Sequence, residues 1–353
     1  MTPQRTRRSS GAKAPSAGTP PAVLLRSAPG LARVLRAEGR HTGVIPAKAR
    51  VDFVWQRNHD IVFVPKPPRF PGADELRVAE DVHRCLVFGR YKISAQQLDR
   101  LAAALKPRGT RWRPAVSVDG AHFNRFDLTR WLSKELGRRG LRIDESASAT
   151  VFVFCVDAAY YICLREREAG AVSGRGQRKA EREGSLPAPV AAAMAFQGKP
   201  RERDAILDPV CGSGTLLAEA GAYAPEAELY GVDTDRRAVK TARRNLAHLA
   251  NTSVEPGDAR ELDLPDGAVT LTLANLPFGK QFGDADGTPG LYRAVMSEIA
   301  RTAAPSGWRG VVLAGDGETL TEAADAAGLT VSRQFTVRVR GEPASMAVLA
   351  QST

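Results

Sequence analysis

The chain of 353 residues lacks any apolar run approaching the ~20 residues that a helix needs to cross a bilayer. Its basic N-terminus continues into Ser, Pro and Gly, and the apolar segment that defines a secretory signal is absent. Because the sequence contains neither a membrane span nor an export signal, we expect a cytoplasmic protein that does not associate with membranes.

Cysteine is scarce, and the four cysteines form no Cys-x-x-Cys pair. They are Cys85, Cys155, Cys163 and Cys211. The five histidines likewise show no spacing typical of metal ligands. This distribution predicts neither a disulfide framework nor a zinc site, and we expect no metal.

Charge is distributed unevenly along the chain. Residues 1–200 contain 35 of the 50 Lys and Arg but only 18 of the 39 Asp and Glu, a balance of +17. Residues 201–353 carry a balance of −6, so that the whole chain has a net charge of +11. The asymmetry indicates a front half that binds a polyanion. The alternative is an Arg-rich solvated surface joined to a basic tail.

The first half of the chain predicts a tail followed by a small mixed region. Residues 1–30 are rich in Arg, Ser, Pro and Gly and predict a disordered basic tail. Residues 31–167 combine β-rich and amphipathic segments and predict an α+β region. Its strands are predicted at 51–55, 61–64, 115–119, 150–156 and 160–164, and its helices at 74–88 and 127–136. Residues 168–188 are polar and Gly-rich and predict a linker.

From residue 189 to residue 353 strands and helices alternate regularly. Such alternation predicts an α/β domain with a parallel, doubly wound sheet. Two consecutive strands at 330–338 and 345–350 close the chain and predict an antiparallel edge hairpin.

A glycine turn follows the first strand of this domain. The segment 206–215 reads Ile-Leu-Asp-Pro-Val-Cys-Gly-Ser-Gly-Thr, and Gly212 and Gly214 allow positive φ angles and close approach of a ligand. A phosphate-binding P-loop requires Gly-x-x-x-x-Gly-Lys-Ser/Thr, which is absent. A dinucleotide fold prefers a third glycine where Leu217 stands. Asp208 would repel a pyrophosphate but suits the cationic methionyl end of S-adenosylmethionine.

Two further aspartates follow the next two strands. Asp233 ends the second strand, at the position where such folds bind the ribose hydroxyls. Asp258 follows the third strand, where it can accept a hydrogen bond from the adenine amine. Each aspartate taken alone also suits a helix N-cap. Three in succession at one edge of the sheet favour a cofactor site. The predicted cofactor-binding residues are Asp208, Cys211, Gly212, Ser213, Gly214, Thr215, Asp233, Asp258, Ala259 and Asn275, of which Cys211 is expected to pack behind the turn and not to act as a nucleophile.

The fourth strand ends in the motif Asn275-Leu276-Pro277-Phe278, which resembles the Asn/Asp-Pro-Pro-Phe/Tyr motif of amino methyltransferases. An exocyclic amine on a base must be aimed without being protonated. The Asn275 side-chain oxygen and the Leu276 carbonyl can accept both amine hydrogens, Pro277 stiffens the loop, and Phe278 can stack on the base. The alternative is a plain turn after a buried strand.

These two motifs together resemble the THUMP-domain-containing RNA guanine-N2 methyltransferases. The residues that carry the resemblance are 208–215 and Asn275-Leu276-Pro277-Phe278-Gly279-Lys280. The match is weaker over residues 31–165. The resemblance implies a class I methyltransferase domain preceded by a ferredoxin-like and THUMP-like RNA-binding region.

The resemblance further implies that guanosine in the acceptor stem of tRNA is converted to N2-methylguanosine, with S-adenosylmethionine as cofactor. The resemblance then implies that arginines of the front half contact the phosphates of the RNA. These arginines are Arg108, Arg111, Arg113, Arg125, Arg138, Arg139 and Arg142. The alternatives are a ribosomal RNA guanine-N2 methyltransferase, a DNA adenine-N6 methyltransferase and a catalytically silent RNA-binding protein. The sequence leaves the oligomeric state open, and a monomer is compatible with it.

Overall fold

The computed structural model describes residues 22–56, 59–72, 75–120, 122–167, 185–278 and 288–351. The chain divides into two compact units. The N-terminal unit contains Met1–Ser27, Gly39–Gly72 and Ala79–Ala169, and the C-terminal unit contains Ala28–Glu38, Ala73–Val78 and Gly170–Thr353. Among the described residues, no helix combines the length and the apolar character that crossing a membrane requires.

The N-terminal unit contains an eight-stranded sheet with the strand order β2-β3-β1-β4-β8-β7-β5-β6. Its strands are β1 (Ala22–Ser27), β2 (Asp52–Trp55), β3 (Asp60–Val64), β4 (Asp81–Arg90), β5 (Arg111–Asp119), β6 (Arg142–Ile143), β7 (Thr150–Val156) and β8 (Ala159–Arg167). Strand β5 runs parallel to both of its neighbours, and all the other described pairs are antiparallel. The predicted mixed sheet is therefore present.

Three helices begin in the first half of the chain: α1 (Ala32–His41), α2 (Ala95–Leu105) and α3 (Arg125–Gly137). A capping box formed by Ser94 and Gln97 starts α2, and the Asn124 side chain caps α3. Leucines from α2 and α3 pack with Trp112 and with one face of β7 and β8 in a single core cluster. Trp112 is fully buried there, so it does not stack on a base.

Two predictions for the first half are wrong. The predicted tail of residues 1–30 contains β1, a buried strand paired with both β3 and β4, because the apolar run from Ala22 to Leu25 lies inside the sheet. The helix predicted over 74–88 is replaced by β4. Strand β4 lies between β1 and β8 and is buried on both faces, so its apolar residues do not alternate and their spacing imitates that of a helix.

The C-terminal unit contains a seven-stranded sheet with the order β11-β10-β9-β12-β13-β15-β14. Its strands are β9 (Ala205–Asp208), β10 (Glu228–Asp233), β11 (Thr252–Pro256), β12 (Leu271–Asn275), β13 (Arg309–Ala314), β14 (Leu329–Val339) and β15 (Glu342–Gln351). Strands β9 to β13 are mutually parallel. Strand β15 is antiparallel to both β13 and β14, which confirms the doubly wound sheet and its edge hairpin.

The helices of this unit agree closely with the alternation predicted from the sequence. They are α4 (Ala188–Gly198), α5 (Thr215–Tyr223), α6 (Arg236–Leu246), α7 (Thr288–Thr302) and α8 (Gly317–Ala326). Residues of α7, α8, β12, β13 and β15 share one large buried cluster that includes Tyr292, Met296 and Trp308. This core supports the edge of the sheet at which the parallel strands end.

Two short segments from the front of the chain belong to the C-terminal unit, so the region predicted at 31–167 is not one continuous domain. The Arg77 guanidinium donates to the carboxylate of Glu219 on α5 at 2.8 Å. The Glu38 carboxylate accepts from the backbone N–H groups of Arg77 and Val78 and from the Tyr223 hydroxyl. Buried polar groups need such partners, and this network attaches both segments to α5.

Candidate cofactor and catalytic site

The glycine turn joins the end of β9 to the start of α5. Gly212 and Gly214 both have positive φ angles, +53° and +80°. A Cβ at Gly214 would lie 2.8 Å from Leu246 Cδ1 on α6, whereas a Cβ at Gly212 would meet nothing within 4 Å. A side chain at position 214 would therefore crowd Leu246, while Gly212 borders open space in front of the turn.

Asp208 is buried at the carboxyl end of β9. Burial raises the pKa of Asp208 to about 8, the negative charge of Asp233 adds to this effect, and the Val210 N–H, which donates to Oδ1 at 3.2 Å, opposes it. A carboxyl group with a raised pKa is stabilised in its ionised form by a nearby cation. The position can therefore bind a positively charged ligand group.

Asp233 at the end of β10 is bound to the glycine turn. Its Oδ2 accepts the Gly212 N–H at 2.8 Å, and its Oδ1 accepts the Asp235 N–H at 2.9 Å. The Cys211 N–H also donates to the Val232 carbonyl at 2.9 Å. Cys211 is buried, and burial raises the pKa of its thiol far above the usual range. The thiol is therefore unreactive, which agrees with the packing role predicted for it.

Ser213 and Thr215 lie within the turn, and both are buried. The Ser213 hydroxyl lies 3.3 Å from that of Thr215 and 3.1 Å from that of Ser185, which precedes α4. The Ser213 carbonyl accepts from the Asn245 side chain on α6 at 3.0 Å. The sequence did not single out Ser185, because its contact with the turn spans 28 residues of chain.

Asp258 follows β11, as predicted, but its side chain has a partner within the chain. The Arg260 guanidinium donates to both carboxylate oxygens at 2.6–3.0 Å, and this hydrogen bonding lowers the pKa of Asp258. The pair is partly exposed, and such ion pairs contribute little to stability. The neighbouring Ala259 is buried. The three aspartates thus follow three adjacent strands, β9, β10 and β11.

The motif 275–278 lies at the carboxyl end of β12, the strand beside β9. The Leu276 N–H donates to the Leu313 carbonyl at 2.9 Å. The Asn275 Oδ1 is shielded from solvent and accepts no hydrogen bond from the residues that the structure describes. A buried acceptor without a partner is energetically unfavourable and typical of a functional group that awaits a ligand.

Gly279 and Lys280 lie outside the described residues, as do Arg175, Arg178, Lys179 and Arg182 of the predicted linker.

Two further residues contact the motif and were missed in the sequence. The hydroxyl of Tyr292 on α7 donates to the Pro277 carbonyl at 2.8 Å. Gly315, just after β13, borders Phe278, since a Cβ there would lie 3.1 Å from Phe278 Cβ. Neither residue belongs to a local motif. Only the positions of α7 and β13 in the folded sheet bring them to the site.

The site therefore combines a strand-end carboxylate, a glycine turn open on one side and a tip with an unpaired amide oxygen. All of these groups lie at the carboxyl edge of parallel strands, where open α/β sheets bind their ligands. Among the described residues there is no cluster of side chains able to hold a metal ion. The arrangement can hold an extended cationic cofactor and can accept hydrogen bonds from an amine.

Comparison with known proteins agrees with this arrangement. Residues 175–343 match the family model described as RMKL-like, methyltransferase domain. This part of the chain is therefore similar to the methyltransferase domain of that family, which agrees with the class predicted from the two motifs.

Curated relatives match over part of the chain. A human protein named tRNA (guanine(6)-N(2))-methyltransferase THUMP3 is 30% identical over 138 residues, which cover 35% of this chain and 27% of the relative. A tRNA (guanine(10)-N2)-dimethyltransferase of Methanothermobacter thermautotrophicus is 33% identical over 127 residues, 35% of this chain and 37% of the relative. The matched stretch thus spans about a third of the length of these relatives or less.

A solved structure extends the likeness to almost the whole chain. TrmN from Thermus thermophilus aligns with a TM-score of 0.77 and 23% identity, over 94% of this chain and 99% of that one. At this identity the likeness concerns the fold alone. The fold is that of the class I methyltransferases, as predicted.

Proposed function

We propose that this protein transfers a methyl group from S-adenosylmethionine to the N2 amine of a guanosine in tRNA, in the acceptor stem. The observation that carries the proposal is the pair of acceptors at the tip of β12. The Asn275 Oδ1 and the Leu276 carbonyl are adjacent along the chain, and neither accepts a hydrogen bond from the described residues. Two such acceptors match the two hydrogens of an exocyclic amine.

The glycine turn fits the proposed cofactor. Gly212 leaves room that any side chain would fill, and Asp208 offers a carboxyl group that a cation would ionise. We assign the methionyl end to Asp208 and the glycine turn, the ribose to Asp233, and the adenine to Asp258 and Ala259. When bound, the cofactor supplies an electrophilic methyl group on a sulfonium. For Asp258 the proposal requires that the carboxylate accept the adenine amine while it stays paired with Arg260.

The chain itself orients the acceptor. In this proposal Asn275 and the Leu276 carbonyl aim the nitrogen lone pair by accepting both amine hydrogens. Phe278 stacks on the base, which must leave its helix to reach the site. Holding a reactant in line in this way is worth several orders of magnitude in rate, and none of these groups protonates the amine.

The surface of the N-terminal unit supports RNA as the substrate. A groove of about 650 Å³ lies beside α3 and β5, and its lining includes Arg125, Arg130, Lys134 and the ring of Phe126. Phe126 is 75% exposed. Exposed aromatic rings among basic residues are typical of surfaces that bind RNA by stacking and phosphate contact.

Several of the arginines predicted to contact phosphate have partners within the chain. Arg111 pairs with Asp144, Arg138 with Glu135, and Arg139 with Asp99. The Arg113 guanidinium donates to the Thr150 hydroxyl. The proposed RNA contact is therefore better placed on Arg125 and its neighbours in the groove. The THUMP-like identity of this unit and a cytoplasmic location stay predictions.

Ribosomal RNA is the second candidate substrate. The family model is described as RMKL-like, and a protein named ribosomal RNA large subunit methyltransferase K/L from Aliivibrio fischeri is 26% identical over 164 residues. The tRNA proposal is favoured by the two curated relatives of higher identity, whose names specify tRNA.

The experiment is to incubate the purified chain with labelled S-adenosylmethionine and, in separate reactions, bulk tRNA, ribosomal RNA or DNA, and to identify the modified nucleoside by mass spectrometry. We expect N2-methylguanosine in tRNA. Label in ribosomal RNA alone would favour the second candidate, whereas N6-methyladenine in DNA or no transfer to any nucleic acid would refute the proposal.

Two substitutions test the division of roles within the site. Asn275→Ala should abolish transfer while S-adenosylhomocysteine still binds, because Asn275 is assigned to the amine. Asp233→Ala should weaken cofactor binding first, because its carboxylate also holds the Gly212 N–H. Equal loss of binding in the two variants, measured by calorimetry, would show that the division is wrong.

A further inference from the structure

The backbone ladder between β12 and β13 stops at the active tip. The strands pair in parallel with Asn275 opposite Leu313, and the Leu276 N–H donates to the Leu313 carbonyl at 2.9 Å. In a regular parallel ladder the next bond would run from the Gly315 N–H to the Leu276 carbonyl. That bond is absent between these two described residues. The Leu276 carbonyl therefore stays open.

The Tyr292 hydroxyl contacts the chain at the point where the ladder stops. This tyrosine is fully buried on α7, and its hydroxyl donates to the Pro277 carbonyl at 2.8 Å. Burial raises the pKa of Tyr292, and the nearby Gly315 backbone N–H opposes the rise. The hydroxyl thus contacts the chain after β12 and lies near the chain after β13.

Gly315 also sets the position of Phe278. A Cβ at residue 315 would lie 3.1 Å from Phe278 Cβ and 3.2 Å from its Cα. Such distances are shorter than ordinary van der Waals contact, so a side chain at position 315 would displace Phe278 by a few tenths of an ångström. The hydroxyl of Tyr292 and the bare backbone of Gly315 together fix Pro277 and Phe278.

We propose that Tyr292 is a positioning residue for the methyl acceptor, whose hydroxyl holds the ladder open so that the Leu276 carbonyl remains available to the amine. The inference rests on the proposed function. Without the hydroxyl, the Pro277 carbonyl loses its donor, and the chain after β12 is no longer held in place. The Gly315 N–H can then bond to the Leu276 carbonyl and remove one of the two amine acceptors.

The test compares Tyr292→Phe with Tyr223→Phe, which removes the same hydroxyl from a buried tyrosine that donates to Glu38. For Tyr292→Phe we expect kcat to fall about 10–100-fold, because small misplacements of reacting groups have effects of this size. The KM for S-adenosylmethionine and the calorimetric Kd for S-adenosylhomocysteine should stay within about twofold of wild type, since the glycine turn is untouched. For Tyr223→Phe we expect wild-type kcat with a lowered melting temperature.

Amide hydrogen exchange provides a reading that does not depend on activity. Exchange in segments 276–278 and 313–316 should change more than about threefold in Tyr292→Phe and remain as in wild type in Tyr223→Phe. Unchanged exchange and kcat in Tyr292→Phe, or an equal fall of kcat in both variants, would overturn the inference. If wild type itself transferred no methyl group to RNA, the proposed function would fail, and the exchange result would still decide the role of the hydroxyl in opening the ladder.

Discussion

The two glycines of the turn should respond to the same substitution in opposite ways. Gly214→Ala places a methyl group 2.8 Å from Leu246 Cδ1 and 3.4 Å from the Ala242 Cβ on α6, at a φ of +80°. Gly212→Ala has a φ of +53° and places its methyl group in open space. Gly214→Ala therefore disturbs the packing of α6 against the turn, while Gly212→Ala disturbs the binding of a ligand in front of the turn.

The magnitudes follow from the backbone and packing costs. A non-glycine residue in the left-handed region costs about 1–2 kcal/mol, which applies to both variants. Overpacking adds about 1–3 kcal/mol for Gly214→Ala alone. We expect that variant to unfold at a lower temperature than Gly212→Ala by roughly 2–4 °C for each kcal/mol of this difference. Gly212→Ala should instead lose at least about tenfold in affinity for S-adenosylhomocysteine, which corresponds to 1.4 kcal/mol.

Differential scanning calorimetry and isothermal titration calorimetry on both variants provide the two readings. Equal melting temperatures of Gly214→Ala and Gly212→Ala would show that Leu246 does not crowd a side chain at position 214. The placement of the cofactor fails if Gly212→Ala binds S-adenosylhomocysteine as tightly as wild type does. The melting temperature and the binding affinity are measured independently, so either prediction can fail while the other holds.

Three further predictions concern charged or titratable groups. Burial raises the pKa of Asp208 to about 8, and the positively charged α-ammonium group of S-adenosylhomocysteine favours the ionised form. S-adenosylhomocysteine should therefore bind up to about tenfold more weakly per pH unit below 8 in calorimetric titrations, and Asp208→Asn should remove this dependence. Burial also lowers the pKa of His83, whose ring nitrogens lack partners among the described residues. Because the unfolded chain binds the proton more readily, stability against urea should fall as the pH drops below about 6.5, and the slope should be smaller in His83→Leu. Arg77→Met leaves the buried Glu219 carboxylate without its cation. It should lower the free energy of unfolding by about 3–5 kcal/mol in urea titrations, and a loss below about 1 kcal/mol would contradict a structural role for the pair.

The C-terminal domain was predictable because its signals are local. A buried strand, a glycine turn and a helix lie within about ten residues of each other, and the alternation repeats along the chain. The sequence therefore predicts both Asp208 and Asn275 at strand ends, where the structure places them. The assignment of Asp258 is less complete, because the sequence does not reveal that Arg260 binds its carboxylate.

The first half was less predictable because its sheet depends on distant pairing. Strand β1 is only six residues long and follows a tail of low complexity, so its apolar run has no periodic pattern. Strand β4 is covered on both faces, and its composition alone does not distinguish it from a buried helix. Both strands are defined by their partners across the sheet and not by their own residues.

The sequence by itself predicted the methyltransferase fold and its candidate site, since a glycine turn, strand-end carboxylates and the tip Asn275-Leu276-Pro277-Phe278 each need only a few neighbouring residues. Only the tertiary structure decided how these groups are supported. The hydroxyl of Tyr292 reaches Pro277 across 15 residues of chain, and Arg77 reaches Glu219 across 142. Contacts over such separations leave no periodic trace in a single sequence, because they depend on how the helices pack on the sheet.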